Sequence, residues 1–457
     1  MSGPATSIAS RAARTDGSPL SRGLFIFVWL LPFHILVMAW LFGGLGVPGP
    51  VVRLVAAWKE GLIALLVVAT ICRAVMGRGP HTSVQWLDLA VGGLWLLALV
   101  YFVGAGVWFG LDLPIGARLY GLRDAAYFSL LYFVGRATPE VMRDGRVLKA
   151  LFLVGVITSA IAVLERIFVG PEALVLLGTA AYFEDFLGAT LFTAGNPFGL
   201  PANYWVMIGG RLVQRAGSTY LSSQGFAIPF LVIVPAATAW LLAKRRPAVA
   251  WLGYAALWSG LLLSITRMTI VACLLQAAAI AATRRRWELI TAAGIAVTVA
   301  SGVALVAVPG LAAYVVETLT WQSASSLTHV GDWTEGMENA LRYPLGAGVG
   351  VADQAAVRFG LNPLAGDNQY LKYAVELGVL GLGLHLATLV GALIVGVTGA
   401  RGGRLDQADY GIVVTATAGG ILLNAVTAGV FNSMVLSYTF FWLLGSLVSA
   451  NAANHRA

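Results

Sequence analysis

Apolar residues in this chain come in long unbroken runs, with polar residues confined to the intervals between them. The runs are too long for strands, and each approaches the roughly 20 residues that an α-helix needs to cross a hydrocarbon core. Twelve spans can be drawn, at about 24–43, 60–77, 88–108, 121–136, 148–167, 226–243, 248–265, 268–283, 289–308, 371–397, 408–429 and 433–450. The expected fold class is all-α: a polytopic membrane helical bundle of about 12 transmembrane helices, forming a single integral membrane domain with a large outer helical loop. Two polar intervals are long. Residues 168–225 are semi-apolar and aromatic, and are expected to lie along the interface as short amphipathic helices. Residues 309–370 carry the helical stretches TEGMENALR and ADQAAVRFG around the glycine-rich YPLGAGVG.

Composition sharpens this picture. The chain is 58% apolar and 11% charged, with a mean hydropathy of +0.82, whereas a soluble domain is about 25% charged. Its 54 glycines suit helices that approach closely in lipid. The run Leu24–Phe42 lacks a small-residue cleavage site, so it reads as a retained first transmembrane helix and not as a signal peptide. Cys72 and Cys273 both fall inside apolar spans and imply no disulfide framework.

The net charge of +8 matters less than its distribution, and nothing points to nucleic acid. Of 29 Lys and Arg, 18 fall in one set of alternating short connections, including Arg11, Arg14, Arg22, Arg78, Arg136, Arg284, Arg404 and Arg456. The positive-inside rule makes that side cytoplasmic, with both termini inside and the long loops outside. The other 11 include Arg53, Arg118, Arg123, Arg211, Arg215, Arg267, Arg358 and Lys372.

Several outward residues are candidates for chemistry. Arg267 stands in LLLSITRMTIVACLL, with no loop to carry it into water. It either snorkels at a tight turn or serves as a fixed cation for a lipid-linked phosphate. Arg211 and Arg215, four apart, would share one face of a helix and either touch headgroups or form a pyrophosphate clamp. Arg123 either belongs with them or pairs with Asp124. At the mouth of the tenth span, Asp367-Asn368-Gln369-Tyr370 sets an acid and two amides at the membrane edge. Asp367 is either a helix N-cap or a group that orients or deprotonates an acceptor hydroxyl. Asn368 and Gln369 could hold a sugar by hydrogen bonds. Tyr370 and Trp333 could stack on one, although an aromatic belt explains them as well. His329 is a lone loop histidine, either solvated or part of a site. There is no nucleophile elbow, P-loop or zinc spacing, so no cofactor is expected and the chemistry should be metal-independent.

In the last polar interval, Asp367-Asn368 is followed by nine residues and then by Gly378 and Gly381, with Glu376 inside the spacing. Upstream stand DWTEGMENALRYPLGAGVG, Arg215 before AGSTYLSSQGFA, and Arg267 in SITRM. From Arg211 to Gly381 the chain resembles the O-antigen ligase/polymerase superfamily of bacterial integral membrane glycosyltransferases. That family carries His-[Asn/Ser/Gln], nine residues and Gly-x-x-Gly in this loop. Its ligases have a histidine where Asp367 stands, and His329 holds about the place of an arginine that often precedes the tryptophan. The acid makes the junction more polymerase-like than ligase-like.

The resemblance implies an inverting, metal-independent polymerase in the bacterial inner membrane, joining oligosaccharide repeat units at the outer leaflet. Its donor would be an undecaprenyl-pyrophosphate-linked glycan, and its other partners would be membrane lipids and a chain-length regulator protein. Arg215 and Arg267 would neutralise the leaving pyrophosphate with help from Arg211, and Asp367 would activate the acceptor hydroxyl. A ligase transferring the glycan to lipid A-core and a transporter of the lipid-linked glycan stand as alternatives.

Overall fold

The computed structural model describes residues 18–77, 83–108, 111, 113–188, 200–402 and 405–454. Arg11, Arg14, Arg78, Arg404 and Arg456, used above to orient the chain, lie outside them. Among the described residues, eight helices are long and apolar enough to cross a membrane: Pro19–Gly44, Gly49–Val75, Trp86–Gly104, Arg146–Phe168, Ser223–Ala243, Trp287–Ala307, Gln369–Gly402 and Met434–Asn454. Two shorter apolar helices, Ala248–Leu263 and Arg267–Thr283, stand where the seventh and eighth spans were expected. The architecture is all-α apart from one hairpin, and it is compatible with a multi-pass membrane protein.

Two expected spans take other forms. The fourth, 121–136, is no single helix: Ile115–Ala125 stops at Ala126, whose φ of −145° leaves the helical region, and the chain resumes through Tyr127–Ser129 into the short helix Leu130–Arg136. The eleventh is the helix Leu405–Asn424, which carries Asp406 in its first turn, pairs Asp409 with Arg284, and buries Tyr410, Val413, Ala418 and Ile421. The core gathers around Ser223–Ala243 and Met434–Asn454, where Phe230, Phe440, Phe441 and Trp442 are fully enclosed.

The 168–225 interval contains the expected short helices, Pro171–Leu176 and Thr179–Ala181, but Arg211 and Arg215 do not share a helix face. Trp205–Ile208 and Arg211–Gln214 form an antiparallel hairpin in which Ile208 pairs with Arg211. Gly209 and Gly210 turn it with φ of 56° and 73°. Two consecutive glycines between alternating residues are the signature of a tight turn with positive φ at both central positions, and that local chemistry outweighs the helical spacing.

The helix Gln369–Gly402 breaks at Gly378 (φ 69°, ψ −170°), a conformation essentially reserved for glycine. The break releases backbone groups that a continuous helix would pair with each other, and the loop Tyr343–Gly350 takes them up. Ala347 N–H donates to the Val375 carbonyl at 2.7 Å, Gly348 N–H to that of Glu376 at 3.1 Å, and Val379 N–H to that of Pro344 at 3.0 Å. The loop reaches these positions because Gly346, Gly348 and Gly350 have φ of 96°, 110° and 94°. The glycines in YPLGAGVG and at Gly378 therefore form one device. An alanine at Gly378 would place its Cβ 2.6 Å from the Leu345 carbonyl oxygen and 2.7 Å from that of Pro344. Gly378→Ala should destabilise the protein by at least about 2 kcal/mol, seen as a lower thermal midpoint in detergent. An unchanged midpoint would show that the loop does not lock the break.

Candidate functional site

The break at Gly378 places the first turns of its helix under the glycine loop, and the charges there are not solvated. Glu376 is fully buried, and its Oε1 accepts the Gly350 N–H at 3.0 Å. Lys372, one helical turn earlier, is 1% exposed; its Nζ lies 3.5 Å from Asp353 Oδ2 and 3.4 Å from Asn432 Oδ1. Asn432 Nδ2 donates to the same Asp353 oxygen at 2.5 Å. Asp353 begins the short helix Asp353–Arg358 with φ 56°, and its N–H is held by the Ala365 carbonyl at 2.8 Å. A buried pair of this kind survives only because further hydrogen bonds satisfy both charges.

Around this base the Asp367–Tyr370 junction divides its labour. Asn368 caps the helix: its Oδ1 accepts the N–H groups of Tyr370 at 2.9 Å and Leu371 at 3.0 Å, while its Nδ2 donates to the Val426 carbonyl at 3.0 Å. Gln369 is fully buried, with Oε1 accepting the Phe431 N–H at 3.2 Å. The Tyr370 hydroxyl donates to the Leu422 carbonyl at 2.6 Å. Asn368, Gln369 and Tyr370 thus tie the helix entrance to residues 422–431, the end of the helix Leu405–Asn424 and the turn that follows it. Asp367 is not the cap. It is half-buried, and burial together with the Asp353 and Asp332 carboxylates pushes its carboxyl up to about 7, against the opposing pull of Lys372.

Asp332 links this carboxyl to the basic residues. A Cβ at Gly366, the neighbour of Asp367, would lie 2.8 Å from Asp332 Cγ. On the helix Ala324–Arg342, Asp332 is three residues after His329 and shares its face. Burial raises the Asp332 carboxyl, with His329 opposing. Burial holds the His329 imidazole below its ordinary value, opposed by Asp332 and reinforced by the positive charge of Arg267. The imidazole lies nearly parallel to Trp333 at 6.4 Å, and Trp333 meets Trp321 edge-on at 5.5 Å.

Arg267 opens the helix Arg267–Thr283, whose N-terminus has no side-chain cap. One guanidinium nitrogen donates to Thr318 Oγ1 at 2.7 Å, and the group lies 5.6 Å from the Tyr314 ring. Arg215 is more committed. Its Nε donates to the Ser264 carbonyl at 2.8 Å and its Nη2 to Thr266 Oγ1 at 2.9 Å, closing the turn in which Ile265 has φ 50°. Burial, with Arg267 nearby, lowers Arg215 to about 10, although the Tyr314 hydroxyl opposes the shift. Arg215 thus holds the turn that places Arg267. Arg211 is exposed on the hairpin. Arg123 lies elsewhere, paired through two nitrogens with Asp124 at 2.8 Å and 3.9 Å over the Tyr120 ring.

The fold therefore joins Arg215 to Arg267 through the Ser264–Thr266 turn, and His329 and Trp333 to the neighbourhood of Asp367 through Asp332 at Gly366; Arg211 and Arg123 take part in neither set of contacts. Asp332, Asp353 and Asn432 were not anticipated. Asp332 had a signal, its i, i+3 spacing from His329 on a helical stretch. Asp353 and Asn432 had none, since their partner Lys372 is brought to them by folding. Among the described residues, no three His, Cys, Asp or Glu side chains stand together as a metal site would need. No family model matches this chain, and no curated protein matches it significantly.

Proposed function

We propose that this protein is a membrane glycosyltransferase that polymerises undecaprenyl-pyrophosphate-linked repeat units at the outer leaflet of the bacterial inner membrane. The reading takes the chain to cross the bilayer twelve times, with both termini cytoplasmic and residues 309–370 roofing the site from the periplasm. The observation that carries it is the packing of Asp332, one helical turn from His329, against Gly366 beside Asp367, with the Arg267 guanidinium held at the start of its helix by Thr318. It supplies a cation, Arg267, and a proton acceptor raised to about 7 by burial and its neighbours, Asp367, with Trp333 and Trp321 packed beside His329.

Breaking a glycosyl–pyrophosphate bond places negative charge on the leaving group. A guanidinium at an uncapped helix N-terminus is suited to stabilise it. On the acceptor side, a carboxyl near 7 can take the proton of the attacking hydroxyl at working pH. Attack opposite the departing pyrophosphate inverts the anomeric centre. The Trp321–Trp333–His329 array offers flat faces to the sugars between, and the half-buried site limits competition from water.

The test supplies purified protein with lipid-linked repeat units and no lipid A-core. Products longer than one unit support polymerisation; transfer only after lipid A-core is added would make it a ligase, and no transfer in either case would sink the reading. Arg267→Ala should weaken binding of undecaprenyl pyrophosphate about tenfold or more, the worth of a charge-assisted hydrogen bond, with a shallower salt dependence. Titration in detergent measures this, and unchanged affinity would remove Arg267 from the site.

A further inference from the structure

The helix Ala324–Arg342 carries an apolar stripe that the mechanism above leaves unused. Its inner face is committed to the protein. Asp332 packs at Gly366, a Cβ at Gly336 would lie 2.9 Å from the Leu371 side chain, and Asn339 donates to the Leu364 carbonyl at 2.9 Å. On the opposite face stand Leu327, Val330, Met337 and Leu341, between 43% and 75% exposed. At about 3.6 residues per turn, the four fall within about a quarter of the helix circumference. The charged side chains of Glu335, Glu338 and Arg342 are exposed along one flank of that stripe. A contiguous apolar row of this kind marks a surface that something covers.

The end of the helix points to what covers it. Val379 and Leu380, 69% and 63% exposed, belong to the membrane-length helix Gln369–Gly402 and face lipid where that helix crosses a bilayer. The Val379 N–H donates to the Pro344 carbonyl at 3.0 Å, so the chain leaving Leu341 is fixed at their level. Exposed Leu345 lines one cavity of about 550 Å³ with Val379, Leu380, Leu384 and Tyr101. The stripe therefore runs on into the outward side of a membrane-length helix. We propose that Ala324–Arg342 is an interfacial helix, with Leu327, Val330, Met337 and Leu341 inserted among the acyl chains of the surrounding phospholipid and its charged flank at headgroup level. The bilayer then supports from outside the helix whose inner face brings Asp332 to Gly366. This contact with lipid requires no glycan transfer and stands independently of it.

The test places single spin labels on the full-length protein in phosphatidylethanolamine/phosphatidylglycerol nanodiscs, after Cys72→Ser and Cys273→Ala remove the native thiols. Labels on Leu327→Cys, Val330→Cys, Met337→Cys and Leu341→Cys should collide with oxygen, which concentrates in hydrocarbon, and avoid a water-soluble nickel chelate. Labels on Gly331→Cys, Glu335→Cys and Glu338→Cys should do the reverse. The ratio of the two collision rates should differ by about fivefold or more between stripe and flank, as for side chains inserted below the headgroups. Equal access of the nickel chelate to both sets would put the stripe in water, and shielding of the stripe from both reagents would put a protein surface on it; either overturns the proposal. A second measurement needs no substitution. Wild-type protein in nanodiscs doped with a phospholipid carrying an acyl-chain diazirine should crosslink on illumination at Met337 and Leu341 as well as at Val379 and Leu380. Crosslinks at Val379 and Leu380 alone would also overturn it.

Discussion

Asp367→Asn should lower glycan transfer by about two to four orders of magnitude, the usual worth of a positioned general base, while the protein stays folded and still binds its lipid donor. The substitution keeps the volume and polarity of the side chain and removes only its ability to take a proton. A structural loss is not expected, because the helix N-terminus is capped by Asn368 and not by Asp367. The pH dependence gives a second readout. Burial and the neighbouring Asp353 and Asp332 carboxylates favour the neutral acid and put the Asp367 carboxyl at about 7. A base works deprotonated, so activity should rise with pH through about 7 and be lost below it. Asp332→Asn removes one of the negative charges that hold the value up and should shift this limb to lower pH. Full activity in Asp367→Asn, measured by product length with folding checked by size-exclusion in detergent, would reduce the residue to a bystander.

Lys372→Met should cost about 3–5 kcal/mol, the usual penalty for stranding one member of a buried ion pair. The side chains of Lys372 and Asp353 are 2% and 3% exposed, and no water can replace the lost ammonium. Asn432 would still donate to Asp353, but one neutral hydrogen bond does not offset a buried charge. The double variant Lys372→Met/Asp353→Asn should recover much of the loss, since it removes both charges. The check is thermal unfolding of the single and double variants in the same detergent. A single variant that melts with the wild type would show that the pair contributes specificity without stability.

The long apolar runs decided that the chain is helical and rich in membrane-length segments, because a hydrocarbon-spanning helix needs only length and composition, both properties of contiguous residues. The junction Asp367–Tyr370 was conspicuous for the same reason, as polar side chains beside an apolar run. Local chemistry also carried the hairpin at Gly209-Gly210, although the four-residue spacing of Arg211 and Arg215 points to a helix; a pair of glycines that both take positive φ outweighs a spacing rule.

The meaning of the glycines was not local. Gly346 and Gly378 are 32 positions apart in the chain, yet the loop N–H groups repair the break in the helix, and only the folded chain brings both together. The assignment of roles was not local either. The order Asp-Asn-Gln-Tyr offers several candidates for cap, base and sugar ligand; the structure gives the cap to Asn368 by two hydrogen bonds and leaves Asp367 half-buried, its carboxyl raised by burial and by the charges of Asp353 and Asp332. The sequence by itself determined the helical class and the place where polar groups gather. Tertiary structure alone decided which of those groups are spent on the fold, because burial and electrostatic neighbours are set by residues distant along the chain.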